Sequence, residues 1–136
     1  HGGGAVPVMR MVTRLGLGGA QGPGSQWMSW LHIEDWVGIA RFLMETESVE
    51  GPVNLAAPNP VKNSSFMRAM RKRFAPFGLG LPAPTPLIHL GAVFLRTEPE
   101  LVLKSRKVLS KVLDEQGYSF VAPTLEVSLG RLEKME

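Results

Sequence analysis

The chain of 136 residues has no cysteine, one tyrosine and three histidines. Without cysteine there are no disulfides and no thiolate metal sites. His1, His32 and His89 are far apart and fall in no ligand-spaced motif, so no metal site is expected. No apolar run reaches the roughly 20 residues that cross a bilayer, and no charged-then-apolar leader stands at the start. A membrane is therefore not an expected partner, and the cytoplasm is the expected compartment. The first residue is His1 rather than Met, which reads as a tag remnant or as a piece cut from a longer chain. No Gly-Lys-Ser/Thr is present, which excludes a phosphate-cradling P-loop. Gly16-Leu17-Gly18 would need a third glycine at position 21 to complete a dinucleotide fingerprint, and Gln21 stands there. His1-Gly2-Gly3-Gly4 has the form of an esterase oxyanion motif, but no Gly-x-Ser-x-Gly elbow accompanies it.

What is present describes one domain's worth of chain. At 44% apolar residues it can bury a core. The net charge is +3, and its distribution is uneven. Between Val61 and Lys111 stand Lys62, Arg68, Arg71, Lys72, Arg73, Arg96, Lys104, Arg106, Lys107 and Lys111 against Glu98 and Glu100. A basic face can attract phosphate or nucleic acid. The simpler reading is a solvated helix face. Phe66, Phe74 and Phe77 fall at core-like spacing rather than as a base-stacking platform.

Periodicity predicts a short helix over Pro7 to Leu17, then a flexible loop through Gly16, Gly18, Gly19, Gly22 and Gly24. Gln26 to Ile33 alternates aromatic and apolar side chains and is predicted as a strand. Glu34 and Asp35 suit the positive end of the helix that follows, with Trp36, Ile39, Ala40, Leu43 and Met44 as its apolar stripe. Val53 to Ala57 is predicted as a short strand, ended by Pro58-Asn59-Pro60. Asn63 is the predicted N-cap of a helix to about Phe74, with Phe66, Met67, Met70 and Phe74 inward. Pro76 and Gly78 stop it, and Leu87 to Leu95 reads as helical. Lys107 to Leu109 is a candidate strand, Ser110 a candidate cap, Gly117 a helix-closing glycine, and Thr124 the cap of a last helix with Leu125, Leu129 and Leu132 inward. Two or three strands are too few to bury both faces of a parallel sheet. Further layers are expected from a missing half or a partner chain.

Trp30-Leu31-His32-Ile33-Glu34-Asp35-Trp36 resembles the strand-to-helix motif of extended short-chain dehydrogenase/reductases. The wider run from Gly22 to Ile33, the phrase from Gly51 to Asn63, and the ending Leu103 to Lys111 with Gly117-Tyr118-Ser119-Phe120 and Pro123-Thr124-Leu125-Glu126 resemble the epimerase-like subfamily that carries a C-terminal DUF1731 domain. The resemblance implies an α/β fold: the C-terminal, substrate-side portion of a Rossmann-like extended enzyme, with few short strands, several helices and a helix-rich C-terminal half. It implies residues 1–60 as the tail of the NAD(P)-binding, epimerase-like domain. Residues 61–136 would be a helical substrate-side region, DUF1731-like over about 86–134.

Such enzymes bind NAD or NADP in an N-terminal half and move a proton with a Tyr-x-x-x-Lys pair. Here the only tyrosine is Tyr118, and position 122 is Ala122. No catalytic and no cofactor-binding residue is therefore assigned, and no cofactor is expected on this chain, although the resemblance implies NAD or NADP for a longer parent. Whether the chain belongs to an active enzyme is left open. The substrate-pocket candidates the resemblance implies are Trp27, Met28, Trp30, His32 and Asn59. For each tryptophan a packing role is the competing reading, and for His32 a structural hydrogen bond. Nucleotide-sugar epimerases often carry an Arg just before this run, where Met28-Ser29 stand, which counts against a sugar-nucleotide substrate. The expected partners are the parent's N-terminal half and, in the parent, a small-molecule substrate. The isolated chain is expected to form a homodimer. Two other readings stay open: a stand-alone interaction module, and a weak nucleic-acid binder through the basic face.

Overall fold

In a computed structural model, residues 5–75, 79–86, 88–90 and 100–134 are described. The fold is helix-rich with a small two-stranded sheet, in two compact units. The first holds residues up to Met28 and Val61–Arg106; the second holds Ser29–Pro60 and 107 onward. The chain passes from one unit to the other after residues 28, 60 and 106.

In the first unit, α1 (Ala5–Val12) runs into a π-helical turn, Thr13–Leu17. Pro7 lies in the first turn of α1, where its missing N–H breaks no helical bond. Gly16, at φ 82°, reverses the chain. The glycine loop beyond it was expected to be flexible, yet the backbone pins it. Gly19 and Gly22 donate to the carbonyls of Leu81 and Ala83, while Leu81 and Ala83 donate to those of Gly16 and Ala20. Gly19 has no room for a side chain, because a Cβ there would land on the backbone of Leu81 and Pro82.

β1 (Trp27–Met28) and β2 (Val61–Lys62) pair antiparallel, Trp27 opposite Lys62. α3 (Asn63–Phe74) follows directly. Its predicted stripe is borne out: Phe66, Met67, Met70 and Phe74 are all buried. Asn63 is not the N-cap, however. Lys62 holds that position, and Asn63 turns its side chain inward instead. Arg68, Lys72 and Arg73 are exposed, while Arg71 bends back to donate to the Gly18 carbonyl at 2.9 Å. Residues 85–86 and 88–90 are helical; the rest of the segment expected to be a helix between 87 and 95 lies outside the described residues, as do Pro76, Phe77 and Gly78. α4 (Glu100–Leu103) ends this unit's ordered elements.

The second unit is built on α2 (Ile33–Glu45). The strand expected from Gln26 to Ile33 shrinks to β1, because His32 becomes the N-cap of α2 and Ile33 its first residue. The stripe is also corrected: Ile39 is fully buried, but Trp36 and Met44 are exposed. The inward residue that the stripe omitted is Asp35, fully buried. Neither Val53–Ala57 nor Lys107–Leu109 forms a strand. Among the described residues the main chain of 53–57 makes one hydrogen bond, from Ala57 to the Trp30 carbonyl. At Val108 the Ser29 hydroxyl replaces a neighbouring strand, accepting from the Val108 N–H and donating to its carbonyl.

α5 (Lys111–Glu115) closes with Gly117 at φ 73°, as expected of a C′ glycine, and Tyr118 N–H donates to the Leu113 carbonyl. Ser110 does not cap it; its hydroxyl is buried without a partner among the described residues. α6 (Leu125–Lys134) is capped by Thr124, whose hydroxyl accepts from Val127 N–H, and buries Leu125 and Leu129. Among the described residues no helix is long and apolar enough to cross a membrane.

Candidate functional site

The five pocket candidates divide between the units. Trp27 and Met28 form β1, both half-buried. Trp27 N–H donates to the Ser105 hydroxyl at 3.1 Å, and its carbonyl accepts from Arg106. The Lys62 ammonium stands 5.9 Å from the centre of the Trp27 ring. The Met28 sulfur accepts from the Asn63 amide at 3.3 Å.

That amide belongs to a buried polar knot that sequence reasoning missed. Asn63 Oδ1 accepts from the Gln21 backbone N–H at 2.8 Å, Asn63 Nδ2 donates to Gln21 Oε1, and Gln26 donates to the Gln21 carbonyl at 2.7 Å. Gln21, the residue that spoils the dinucleotide fingerprint, is thus the centre of a network fastening the glycine loop to α3. A side chain read as a helix cap, with no local partner in view, gave no signal of this long-range use.

In the second unit the structure brings two candidates together. The indole N–H of Trp30 donates to the Asn59 carbonyl at 3.0 Å, and the Asn59 amide donates to the Pro123 carbonyl at 3.0 Å. His32 is 1% exposed. Its Nδ1 accepts the Glu34 N–H at 3.2 Å, which leaves the proton on Nε2 in the neutral ring. Nε2 is buried and has no partner among the described residues. Asp35 Oδ1 and Oδ2 accept from the backbone N–H groups of Val121 and Ala122 at 2.7 and 3.0 Å. Glu34 pairs with Arg131 at 2.8 Å. The paired acids at the start of α2 are therefore committed to holding the C-terminal segment.

Tyr118 packs edge-on against Phe42 and Phe120, with ring centres 5.3 and 5.0 Å away. Its hydroxyl donates to the Asp35 carbonyl at 3.3 Å. Burial, then the charge of Asp35 and a hydrogen bond with that residue, push its pKa above 10. A phenol that serves as acid or base near neutrality needs the opposite shift. Tyr118 is a packing residue.

The glycine loop does not fit a dinucleotide. A pyrophosphate needs free N–H groups at a helix N-terminus. Here the N–H groups of Gly19, Gly22 and Gly24 are spent on the carbonyls of Leu81, Ala83 and Gln21, that of Gln21 on Asn63, and β1 follows instead of a helix. Among the described residues no group of three or more His, Asp or Glu side chains could hold a metal ion. The second unit has an open cavity of about 320 Å³ lined by Pro52, Asn54, Lys107, Leu109, Lys111 and Val112. None of the five candidates lines it. Its two lysines were visible in the basic cluster, but nothing in the sequence joined them to residues 52–54.

Comparison with known proteins agrees with the resemblance carried by these segments. Residues 83–132 match the family described as Domain of unknown function (DUF1731). The chain is 33% identical over 130 residues to the epimerase family protein YfhF of Bacillus subtilis, covering 95% of this chain and 41% of YfhF. It is 37% identical over 132 residues to the epimerase family protein SDR39U1 of Bos taurus, covering 95% of this chain and 43% of the relative. The crystal structure of human SDR39U1 (isoform 2) with NADPH superposes with a TM-score of 0.78 at 32% identity, over 98% of this chain and 44% of that one. A nucleoside-diphosphate sugar epimerase from Corynebacterium glutamicum shares the fold, with a TM-score of 0.66 at 22% identity, over 95% of this chain and 24% of that one. The chain spans less than half the length of each of these relatives.

Proposed function

We propose that this chain, the counterpart of the C-terminal part of the epimerase family proteins that carry DUF1731, supplies substrate-side surface and scaffold to an NADPH-using reductase or epimerase and performs no chemistry by itself. The observation that carries the reading is the superposition on a human relative bound to NADPH, set beside a glycine loop whose N–H groups are already spent. On this reading the cofactor site and the proton-transfer pair lie in the part of a longer parent that this chain does not include.

Within that role each unit contributes by itself. On the first, Trp27 and Met28 offer half-buried apolar surface to a small substrate. On the second, Trp30 offers an indole face while its N–H is held by Asn59, so the ring is oriented without a further donor. His32 fixes the start of α2 through its Nδ1 and, being buried, supports the site rather than lining it. Met28-Ser29, rather than an arginine, stand just before the Trp30-Leu31-His32 run, which favours an uncharged carbonyl or hydroxyl compound over a sugar diphosphate. The compartment inferred is the cytoplasm.

The test is a chimera in which this chain replaces the matched part of YfhF. The chimera is expected to quench or shift NADPH fluorescence saturably. A folded chimera that leaves NADPH fluorescence unchanged, while intact YfhF responds, contradicts the reading.

A further inference from the structure

The open cavity of the second unit is lined by none of the substrate-side candidates. Two distant stretches of sequence wall it. Pro52 and Asn54 come from one, and Lys107, Leu109, Lys111 and Val112 from the other. Both stretches are anchored. Beyond the first, Ala56 and Ala57 are buried, and the Ala57 N–H donates to the Trp30 carbonyl. In the second, the Val108 N–H donates to the Ser29 hydroxyl at 2.7 Å, which fixes the backbone between Lys107 and Leu109. Leu113, fully buried, holds α5 in place just past Val112. The walls are therefore formed before any ligand arrives.

The lining has one sign of charge. Lys107 and Lys111 stand in it and no carboxylate does, although Asp114 and Glu115 lie on the same short helix as Lys111. Lys111 makes no ion pair among the described residues. The Asn54 side chain, exposed, adds an amide that can donate. Pro52, Leu109 and Val112 supply apolar wall beside these polar groups. Ligand cavities commonly combine apolar walls with a few polar groups in this way. The volume of about 320 Å³ equals roughly ten waters at about 30 Å³ each, which suits a small molecule and not a polymer. No aromatic side chain lines the cavity, so it offers no base-stacking platform for a nucleic acid.

The geometry points to a binding site for a small phosphomonoester, its phosphate held between Lys107, Lys111 and Asn54 and its carbon part laid on Leu109, Val112 and Pro52. A phosphomonoester carries a charge of about −1.5 to −2 at pH 7 and three acceptor oxygens, which matches two ammonium groups and an amide. A carboxylate brings half that charge. Lysine binds phosphate as a compact point charge, so the two side chains need no fixed fork geometry to act together. The site is additional to the substrate-side surface and does not depend on the NADPH reading.

Nitrogen-resolved NMR of this chain with phenyl phosphate as the probe tests it. Saturable shifts are expected at the amides of Asn54, Lys107, Leu109, Lys111 and Val112, in the millimolar range or below. Inorganic phosphate is expected to bind the same amides about tenfold more weakly, and benzyl alcohol not to saturate. Lys111→Gln and, as a second variant, Lys107→Gln each weaken phenyl phosphate by about tenfold; both positions are exposed, so the circular dichroism should not change. Leu109→Ala weakens phenyl phosphate but not inorganic phosphate. Lys72→Gln, on α3, leaves the affinity unchanged. The inference is overturned if no saturable shift appears at these amides. It is equally overturned if benzoate binds as tightly as phenyl phosphate, or if Lys72→Gln costs as much as Lys111→Gln, which would reduce the effect to the general positive charge of the chain.

Discussion

The carboxylate of Asp35 accepts the backbone N–H of Ala122 at 3.0 Å, across 87 residues of sequence. With the Val121 N–H on its other oxygen, it ties the first turn of α2 to the segment leading into α6. A fully buried carboxylate is tolerable only when its oxygens are satisfied in this way.

Asp35→Ala leaves two N–H groups without acceptors, that of Ala122 buried and that of Val121 part-buried. The expected loss is about 3 kcal/mol, from bonds to a charged group worth roughly 1.5–3 kcal/mol each and partial access of water. Asp35→Asn keeps the shape but turns an amide donor toward one of the N–H groups, and should cost about 2 kcal/mol. Urea unfolding of the three proteins checks the order.

Tyr118 contributes to stability on the alkaline side. Its pKa is raised in the fold, so the unfolded chain ionises first. The contribution is fully present below about pH 10, the ordinary phenol value, and is lost as pH rises through the folded pKa. As Tyr118 is the sole tyrosine, tyrosinate absorbance reports it alone. The native midpoint should lie above that of the urea-unfolded chain, and Tyr118→Phe should flatten the part of the alkaline stability loss that lysines do not share.

Gly38 faces Tyr118 so closely that an added Cβ would strike the phenol oxygen. Gly38→Ala ought to gain about 1 kcal/mol from helix propensity, yet is expected to lower the melting temperature. Adding Tyr118→Phe should recover part of the loss, giving a coupling of about 1 kcal/mol in a double-mutant cycle. Additive effects would mean that the two residues do not meet.

Two buried polar residues should behave oppositely. Asn63→Ala strips the acceptor of the Gln21 N–H and is expected to cost about 2 kcal/mol. Ser110→Ala removes a buried hydroxyl that has no partner among the described residues, so it should be neutral or slightly stabilising. Thermal melts of the pair are the check.

Local signals are legible in the sequence. The stripe of α3, the glycine after α5 and the Thr124 cap depend on residues three or four apart, and each was visible in the sequence. What was not visible depended on distant partners. Asn63 reads as a cap but serves Gln21, 42 positions away. Asp35 reads as dipole chemistry but serves Val121 and Ala122. Val53–Ala57 has a strand's composition, but composition cannot supply the adjacent strand that a ladder requires. Of the candidate site, the Trp30–Asn59 contact could be anticipated only as two residues of one resemblance, not as a hydrogen bond.

The central claim is that this polypeptide lacks the means to hold a dinucleotide. Calorimetric titration of the chain alone with NADPH tests it most directly. The account predicts no saturable heat up to millimolar cofactor, since the glycine loop has given its N–H groups to Leu81, Ala83 and Asn63. A saturable isotherm with a Kd of about 10 μM, some 7 kcal/mol of binding, would contradict it.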